Sequence, residues 1–379
     1  MQYTKIDLPY KVKSGILGLG AQSKSSLCFI KDRTAYLFSM GGDLDNPDEL
    51  ELFKKYIVRL KRQFKIKVKI LACDLHPGYN STLLAEEMKN NAPWLKLKMV
   101  QHHKAHIASC IIDNNIKGKA IGVAFDGTGL GLDGNIWGGE FFVGDIRDLK
   151  RAAHLKYVPM PGGEASIKGP WRMAVSYLYS VYGRDSFDSL RLDFIKRLNR
   201  DDLMFLKQIL DKNLYSPKTS SMGRLFDAVS ALVGGCSVAE YEGQAAVALE
   251  KAIINNVNKR KTSMHYRFAY RKEEQLLIID PAILIKGVVD DLKRGFPAGI
   301  ISFKFHNAVC NMVKDVCRFL RARYGIRKVC LSGGVFQNRY LSDNIKNLLS
   351  EEGFIVHLHN KIPCHDGNIA LGQAILAGV

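Results

Sequence analysis

The sequence lacks any long hydrophobic run, because Gly, Lys or Asp interrupts each of its longer apolar patches. None of these patches approaches the roughly 18 apolar residues that a membrane-spanning helix requires. The first residues are polar and mixed, without the apolar stretch that precedes a signal-peptide cleavage site. We therefore expect no membrane association and no signal peptide.

Paired cysteine motifs are also missing. None of the eight cysteines forms a C-x-x-C pair, and they are scattered through apolar contexts. This pattern argues against a zinc ribbon and against a disulfide framework, and it is typical of reduced cysteines in a hydrophobic core. We predict a cytoplasmic protein.

Acidic residues are scarcer than basic ones: 37 Asp and Glu face 55 Lys and Arg, for a formal net charge of +18. Such a charge suits nucleic acid, but it also suits a lysine-rich solvated surface. The basic residues are dispersed, and Lys65, Lys67 and Lys69 alternate with apolar residues as on one face of a strand. Because no long basic run is interleaved with aromatics, we consider nucleic-acid binding unlikely.

Hydrophobic patterns are abundant and indicate a large α/β protein. Hydrophobic residues make up 47% of the 379 positions, enough for two or three domains. The patterns predict helices at 47–64, 81–90, 171–182, 201–213, 223–233, 241–259, 338–350 and 366–377, and strands at 16–20, 25–30, 34–40, 66–71, 96–100, 120–125, 136–144, 328–331 and 354–357. A unit of strand, glycine-rich turn and strand near residues 15–30 reappears at 120–144, which suggests two related lobes facing one cleft.

Three of the ten histidines lie within five positions, in the run QHHKAHI at 101–107. On a helix, His102 and His106 share one face, at the spacing with which two imidazoles bind one metal ion. Asp126 follows a buried-looking strand, and Asp366 opens the last predicted helix. Two His and two Asp suit iron or zinc. The alternatives are a helix start with solvated histidines and an N-cap role for Asp366.

Two glycine-rich segments stand at strand ends, where backbone N–H groups can approach a phosphate closely. They are DGTG at 126–129, with Gly127, Thr128 and Gly129, and SGGVFQN at 332–338, with Gly333 and Gly334. Each also fits a simple tight turn, and neither has the spacing of a Walker loop or a dinucleotide fingerprint. Two such segments on opposed lobes are characteristic of actin-like and sugar-kinase clefts, an analogy of fold only.

Longer motifs point to a family. The stretches QHHKAHIASC (101–110) and VAFDGTGLGLDGNIWGGEF (123–141) resemble the C-terminal carbamoyltransferase domain of the hydrogenase-maturation protein HypF. Further motifs that agree are CDLHPGY (73–79), PWRMA (170–174), TSSMGRLFD (219–227), YEGQAA (241–246) and LSGGVFQNRYL (331–341). The chain is more distantly similar to the TsaD-like tRNA threonylcarbamoyl transferases.

This resemblance implies an α/β actin-like (sugar-kinase, ASKHA) fold, with two RNase H-like lobes around a nucleotide-binding cleft. We expect the first lobe at residues 1–115 and the second at 116–379. Helical insertions are expected around 150–300, and the last helix is expected to pack back on the first lobe.

The resemblance also implies a site and a reaction. It implies one divalent transition metal, Fe2+ or Zn2+, bound by His102, His106, Asp126 and Asp366. It implies an adenylate held by the glycine segments, with Asp227 and Gly243 near the ribose and Asn338 near the adenosine. A carbamoyl group would pass from carbamoyl-adenylate to the C-terminal cysteine of the partner HypE, and the product would go on to become a cyanide ligand of NiFe hydrogenase.

The roles of four positions remain open. His103 and His76 are candidates to accept the thiol proton, although a structural hydrogen bond is the commoner role of such histidines. Lys104 stands where many relatives have a third consecutive His. His365 precedes the implied ligand Asp366 where Asn is common, so it is a candidate to hydrogen-bond that carboxylate or to compete as a ligand.

The sequence leaves open where the adenylate comes from and which acceptor receives the carbamoyl group. Full-length relatives also carry an acylphosphatase-like domain, C-x-x-C zinc motifs and a YrdC-like domain that makes the adenylate, and none of these motifs is found in this sequence. A YrdC-like domain or protein is therefore an expected partner. The rival functions are a TsaD-like tRNA transferase, an O-carbamoyltransferase of small molecules, and a non-catalytic adenylate-binding scaffold.

Overall fold

A computed structural model describes residues 3–9, 11–184, 189–253 and 264–379. The first lobe contains six strands, β1 (Thr4–Asp7), β2 (Ile16–Gly18), β3 (Ser26–Lys31), β4 (Thr34–Ser39), β5 (Ile70–Asp74) and β6 (Lys96–Val100). They form one mixed sheet in the order β1-β4-β3-β2-β5-β6. Strands β2, β3 and β4 form an antiparallel meander, and β5 and β6 continue the sheet in parallel with β2.

The second lobe contains the remaining described strands. They are β7 (Ala120–Leu130), β8 (Ile136–Gly144), β9 (Lys150–Leu155), β10 (Val158–Pro159), β11 (Lys218–Thr219), β12 (Ala269–Glu273), β13 (Leu276–Asp280), β14 (Lys328–Ser332) and β15 (Ile355–His357). The main path of this sheet is β12-β13-β9-β8-β7-β14-β15, and the short pair β10 and β11 attaches at β8. Strands β7, β8 and β9 are an antiparallel meander, and β14 and β15 run parallel to β7.

The two lobes share one topology. The order β4-β3-β2-β5-β6 in the first sheet equals β9-β8-β7-β14-β15 in the second, with the same pattern of antiparallel and parallel pairs. The predicted α/β class with two related lobes is thereby confirmed. The first hairpin of each lobe, β2–β3 and β7–β8, contains one of the two repeated units recognised in the sequence.

Helices connect the strands and fill the insertion. They are α1 (Pro47–Gln63), α2 (Asn80–Asn91), α3 (His102–Asp113), α4 (Ala165–Lys168), α5 (Pro170–Tyr182), α6 (Asp193–Arg197), α7 (Arg200–Asp211), α8 (Met222–Leu232), α9 (Gln244–Lys251), α10 (Ala282–Lys293), α11 (Ala298–Tyr324), α12 (Arg339–Glu351) and α13 (Ile369–Gly378). Two 3-10 helices, Gly334–Gln337 and Asp366–Asn368, precede α12 and α13. No helix in the described ranges is long and apolar enough to cross a bilayer.

The terminal helix of each lobe crosses to the other lobe. Helix α3 follows the last strand of the first sheet but packs against β7, β8 and β14 of the second. Helix α13 follows the last strand of the second sheet but packs against β2, β3 and β5 of the first, and against α3. A core cluster that includes Ile16, Ile107, Ala124 and Ala370 therefore lies between the sheets and joins the lobes. The proposed division at residues 115 and 116 falls between α3 and β7.

Among the predicted elements that differ from the structure, three bear on the site. Strand β7 runs on to Leu130 through a β-bulge between Phe125 and Gly129, so DGTG is a bulged strand segment and not a loop. The helix predicted at 241–259 begins at Gln244, because Gly243 takes a left-handed conformation (φ 81°), and it ends at Lys251; residues 254–259 of the prediction lie outside the described residues. The strand predicted at 66–71 begins at Ile70 and continues to Asp74.

Candidate metal centre and nucleotide cleft

Helix α3 places two imidazoles side by side at the interface of the lobes. Its N-terminus is capped by Gln101, whose side chain accepts a hydrogen bond from the backbone N–H of Lys104 (2.9 Å). The ring centroids of His102 and His106 lie 5.0 Å apart at 82°, and both side chains are buried. The spacing of four residues therefore brings the two rings to one face, as the sequence predicts.

Two carboxylates from distant segments meet these imidazoles. Asp126 Oδ2 lies 2.8 Å from His106 Nε2 and 3.4 Å from His102 Nε2. Asp366 Oδ1 lies 3.6 Å from each of the same two nitrogen atoms. One potential ligand atom from each of the four residues falls within 4.8 Å of the other three. Two imidazole nitrogens and two carboxylate oxygens at this separation could hold one divalent transition metal.

The glycine segments hold Asp126 in place. Its Oδ1 accepts hydrogen bonds from the backbone N–H of Gly127 (2.8 Å) and, across the sheet, of Gly334 (3.3 Å). Its backbone carbonyl accepts a hydrogen bond from Ser221 Oγ at the N-terminus of α8 (2.8 Å). The bulge in β7 and the turn after β14 thus converge on a single carboxylate and leave Oδ2 to face the imidazoles.

Asp366 reaches the site from the 3-10 helix before α13. His365 caps this helix, since its Nδ1 accepts a hydrogen bond from the backbone N–H of Gly367 (3.2 Å). The alternative N-cap role for Asp366 is therefore not the one seen, and its carboxylate points toward the imidazoles. Crossing of α13 to the first lobe explains how a residue near the C-terminus lies beside α3.

Two buried residues that the sequence analysis did not single out fix the orientation of the imidazoles. Asp74 Oδ2, at the end of β5, lies 2.8 Å from His102 Nδ1. Asn368 Oδ1 lies 3.1 Å from His106 Nδ1. Each acceptor selects the tautomer that carries its proton on Nδ1, so both Nε2 atoms are free to bind a metal. Asp74 carries the signal that identified Asp126, a carboxylate directly after a buried strand.

The charges of the cluster are strongly coupled. Burial opposes the protonated form of His102, but Asp74 and Asp366 raise its pKa well above the usual range. Burial likewise opposes ionisation of Asp126, but the adjacent imidazoles of His102 and His106 hold its pKa well below the usual range. In the described residues His102 Nε2 is a buried nitrogen without a hydrogen-bond partner. The donor set and this unpartnered nitrogen fit a bound cation.

The residues predicted to bind the nucleotide are only partly brought together. Gly127 and Thr128 are half-buried at the bulge beside the metal ligands. Gly129 is buried, and a Cβ there would lie 2.6 Å from His103 Cε1, so this glycine makes room for the ring. Gly333 has a φ of 108°, and a Cβ would lie 2.2 Å from the carbonyl oxygen of Phe125. Close backbone approach explains the last two glycines.

The other predicted nucleotide residues lie at helices of the same lobe. Asp227, on α8, is buried 3.0 Å from Arg224 Nη2, and burial raises its pKa to about 6 although Arg224 opposes the shift. Gly243 stands at the start of α9 with open space where a Cβ would be. Asn338 caps α12 by accepting from the N–H of Leu341 (2.9 Å), and its role near the adenosine stays a prediction.

The two candidate bases differ in exposure. His103 is buried, and its Nδ1 accepts a hydrogen bond from Gln101 Nε2 (3.1 Å). Burial and the neighbouring His102 hold its pKa well below the usual range, which makes it a weak proton acceptor. His76 is half-buried and stacks on Tyr79 at 4.3 Å, so it is the more accessible of the two.

Charged side chains that the sequence analysis did not single out surround the bulge. Lys24, in the hairpin β2–β3, forms an ion pair of 2.7 Å with Glu242 of the other lobe. Burial opposes the charge of Lys24, but Glu242, Asp366 and Asp126 raise its pKa. Arg224 Nη2 and Glu242 Oε1 would both lie within 3.6 Å of a Cβ on Gly127. The lobes therefore close over the metal ligands through a lysine–glutamate contact.

Known proteins share this arrangement of segments. Residues 122–373 match the family model described as carbamoyltransferase, Kae1-like domain, second subdomain, and residues 11–113 match the HypF Kae1-like domain. The carbamoyltransferase HypF of Synechocystis is 34% identical over 98% of this chain and 48% of its own length. The probable carbamoyltransferase HypF of Methanocaldococcus jannaschii is 33% identical over 95% of this chain and 46% of its own.

The length of the relatives varies. The chain spans about half of the two relatives just named, but it covers 91% of a HypF homolog of Cupriavidus necator that is 28% identical over 96% of this chain. A crystal structure of full-length HypF in its phosphate- and nucleotide-bound form superposes with a TM-score of 0.91 at 38% identity, over 99% of this chain and 56% of that one. The chain belongs to the HypF family, as its Kae1-like carbamoyltransferase domain.

Proposed function

We propose that this chain transfers a carbamoyl group from carbamoyl-adenylate to the C-terminal cysteine of HypE during maturation of NiFe hydrogenase. The observation that carries the proposal is the cluster of His102, His106, Asp126 and Asp366 beside the glycine bulge of β7. A metal centre next to backbone N–H groups suits a substrate that combines an acyl group with a phosphate. Relatives at 33–34% identity are named carbamoyltransferases, which supports the same reaction class.

The side chains of the chain have defined tasks in this proposal. A divalent metal held by the four ligands would supply Lewis-acid stabilisation of negative charge on the substrate oxygens. Asp74 and Asn368 keep the imidazoles oriented, and Lys24 with Glu242 closes the cleft over the ligands. Because AMP is already a good leaving group, a strong general acid is not required.

The nucleophile comes from the partner in this mechanism. All eight cysteines of the chain are free thiols, and all but Cys364 are buried. Burial raises the pKa of the Cys364 thiol to about 11, so little thiolate forms near neutral pH. A thiolate acceptor supplied by HypE explains why the site itself needs no cysteine. A YrdC-like domain or protein would supply the adenylate, and reduced thiols fit a cytoplasmic location.

A reconstituted transfer assay tests the proposal. The chain is loaded with Fe2+ or Zn2+ and incubated with synthetic carbamoyl-adenylate and HypE, and the C-terminal peptide of HypE is analysed by mass spectrometry. We expect a carbamoyl adduct on the terminal cysteine, and none with HypE in which that cysteine is serine. Asp366→Asn, which removes one ligand oxygen at constant volume, should abolish the adduct, whereas the exposed Asp343→Asn should not.

The net charge of +18 favours the alternative of a tRNA transferase, so the same preparation is also tested for binding to tRNA. An absence of adduct on HypE together with tight, salt-dependent tRNA binding would replace the proposal with a TsaD-like activity. Transfer to small hydroxylated acceptors but not to HypE would favour an O-carbamoyltransferase. Adenylate binding without transfer to any acceptor would leave a scaffold.

A further inference from the structure

The space above Gly127 lies between a buried donor and a carboxylate. A Cβ placed on Gly127 would lie 3.5 Å from Arg224 Nη2 and 3.6 Å from Glu242 Oε1, both ordinary contact distances. Gly127 directly follows the metal ligand Asp126, so this space adjoins the metal cluster. It is therefore the position at which a group bound near the metal would meet both side chains.

Arg224 has hydrogen-bonding capacity that the protein does not use. Its side chain is 3% exposed, and Nε and Nη1 are buried without a hydrogen-bond partner among the described residues. Its partner is Asp227, which lies 3.0 Å from Nη2. Buried N–H groups are almost always paired in native proteins, so this guanidinium has donors left for a bound group, and Nη2, which has two N–H groups, is its atom near the space above Gly127.

The packing of α8 keeps Arg224 at this position. Ser221 caps α8 by accepting from the N–H of Arg224 (3.1 Å), and its hydroxyl donates to the carbonyl of Asp126. A Cβ on Gly223 would lie 2.9 Å from the Cα of Gly127, so the helix and the bulge are in direct contact. The guanidinium is thus fixed relative to the metal ligands.

The charges around this space disfavour a second anion. The carboxylate of Asp227 lies 3.0 Å from Arg224 Nη2, Glu242 Oε1 borders the same space, and Asp126 directly precedes Gly127 in the chain. A phosphate here would face these carboxylates at short range. A neutral group that accepts from Arg224 and donates to Glu242 fits better, and a carbamoyl group has one carbonyl oxygen and one NH2 for these roles.

We propose that Arg224 and Glu242 recognise the carbamoyl group itself: Arg224 donates to its carbonyl oxygen, and Glu242 accepts from its NH2. This inference rests on the proposed function and adds how the site selects a carbamoyl over another acyl group. Lys24 holds the other oxygen of Glu242 at 2.7 Å, which leaves Oε1 directed at the space above Gly127.

Binding of stable adenylate mimics tests the proposal. Carbamoyl-sulfamoyl adenosine and acetyl-sulfamoyl adenosine have the same shape but differ in NH2 against CH3, and AMP lacks the acyl group. In calorimetry with the metal-loaded chain, the carbamoyl mimic should bind about 10- to 100-fold more tightly than the acetyl mimic. Glu242→Ala should bring this ratio close to one, whereas the exposed neighbour Glu240→Ala should leave it unchanged.

Arg224 variants separate the roles of the two side chains. Arg224→Lys, which keeps the charge but loses the planar fork, should weaken both mimics about 10-fold or more while the affinity for AMP is retained. Arg224→Met removes the donors altogether, and its affinities for the mimics are measured after a melting curve has confirmed that the variant folds. Glu242 is half-exposed, so Glu242→Ala does not require this folding control.

Each contrary result has a distinct meaning. If Glu242→Ala leaves the ratio of carbamoyl-mimic to acetyl-mimic affinity unchanged, the proposal is overturned. It is also overturned if Arg224→Lys loses as much affinity for AMP as for the mimics, because the guanidinium would then bind the phosphate. In both cases the proposed function stands as long as the wild-type chain binds the carbamoyl mimic. A wild-type chain that binds neither mimic nor AMP overturns the proposed function and this inference together.

Discussion

Asp74 determines which nitrogen of His102 faces the other ligands. Its Oδ2 lies 2.8 Å from His102 Nδ1, and the carboxylate is fully buried. A carboxylate can only accept here, so the imidazole must carry its proton on Nδ1 and present the lone pair of Nε2 to a metal. An amide in its place can accept or donate and therefore does not enforce this tautomer.

We expect Asp74→Asn to weaken metal binding by about 10- to 100-fold. The measurement is competition of the purified chain against a chelator of known affinity, with circular dichroism to confirm the fold. Asp148→Asn, an exposed carboxylate on the second lobe, is the matched control and should retain the wild-type affinity. Equal metal affinities for Asp74→Asn and wild type would show that the contact does not position His102.

At single residues, the sequence predicted the histidine pair by spacing and offered Asp126 and Asp366 by their positions at a strand end and a helix start, while the family resemblance joined the four residues into one ligand set. Local spacing is set by the helix, so His102 and His106 needed no tertiary information. Asp74 and Arg224 were inside recognised motifs but were not singled out, because their roles depend on which groups they meet across the lobes. Pairing across the fold is a property that a single sequence does not encode in any short pattern.

At the scale of elements, α11 and α12 are joined through a buried histidine. His306 Nδ1 donates to the backbone carbonyl of Ser302 (2.8 Å), and Nε2 accepts from Asn338 Nδ2 (2.9 Å). Asn338 in turn caps α12, directly after the 3-10 helix Gly334–Gln337. Burial lowers the pKa of His306 to about 4 although the hydrogen bond to Ser302 opposes the shift, and the contact with Asn338 requires the neutral ring.

This contact predicts a loss of stability in acid. The pKa of His306 is near 6.5 in the unfolded chain and about 4 in the folded one, so its contribution is fully present above pH 6.5 and is lost as the pH falls through 4. We expect His306 to account for about 3 kcal/mol of the decrease in unfolding free energy between pH 7 and pH 4.

Urea unfolding of wild type and His306→Gln over this pH range measures that contribution. The variant starts from a lower stability at pH 7 but should lose less of it on acidification. Arg318→Gln, at an exposed position of the same helix, should follow the wild-type pH dependence. Parallel curves for wild type and His306→Gln would show that the ring is protonated in the folded state without cost.

Element boundaries were less predictable than element types. Periodicity located most strands and helices, but the strand predicted at 120–125 continues to Leu130 through a bulge. The glycines of this segment were interpreted as a turn, because a glycine-rich segment is compatible both with a loop and with a strand that passes close to other groups. The neighbouring rings of His102 and His103, which explain Gly129, become visible only after α3 has packed on the second sheet.

At the scale of the whole molecule, the candidate metal centre joins both lobes. His102 and His106 lie on α3, Asp126 lies on β7 of the second sheet, and Asp366 precedes α13, which packs on the first sheet. The two related lobes were foreseen from the two similar units in the sequence, but their strand order was not. The crossing of α3 and α13 was only half foreseen, since the resemblance implied it for the last helix, and no local pattern reports which sheet a helix will cover.

Because the candidate ligands come from both lobes, a metal ion that they bind should stabilise the entire chain. A metal at about 100 times its Kd adds about 2.7 kcal/mol to the unfolding free energy, provided that it does not bind the unfolded state. We expect Fe2+, under anaerobic conditions, or Zn2+ to raise the Tm of the metal-free chain by several degrees. Differential scanning calorimetry with and without a chelator gives this shift directly.

The site of binding is established by variants in the same experiment. Asp366→Asn removes one ligand oxygen at constant volume and should abolish most of the metal-dependent shift, whereas Asp343→Asn, exposed on α12, should shift like wild type. A full shift in Asp366→Asn would place the stabilising metal elsewhere. The lobes would then be joined by their shared core and by the pair of Lys24 and Glu242, and a surface ion pair of this kind contributes only about 0–1 kcal/mol.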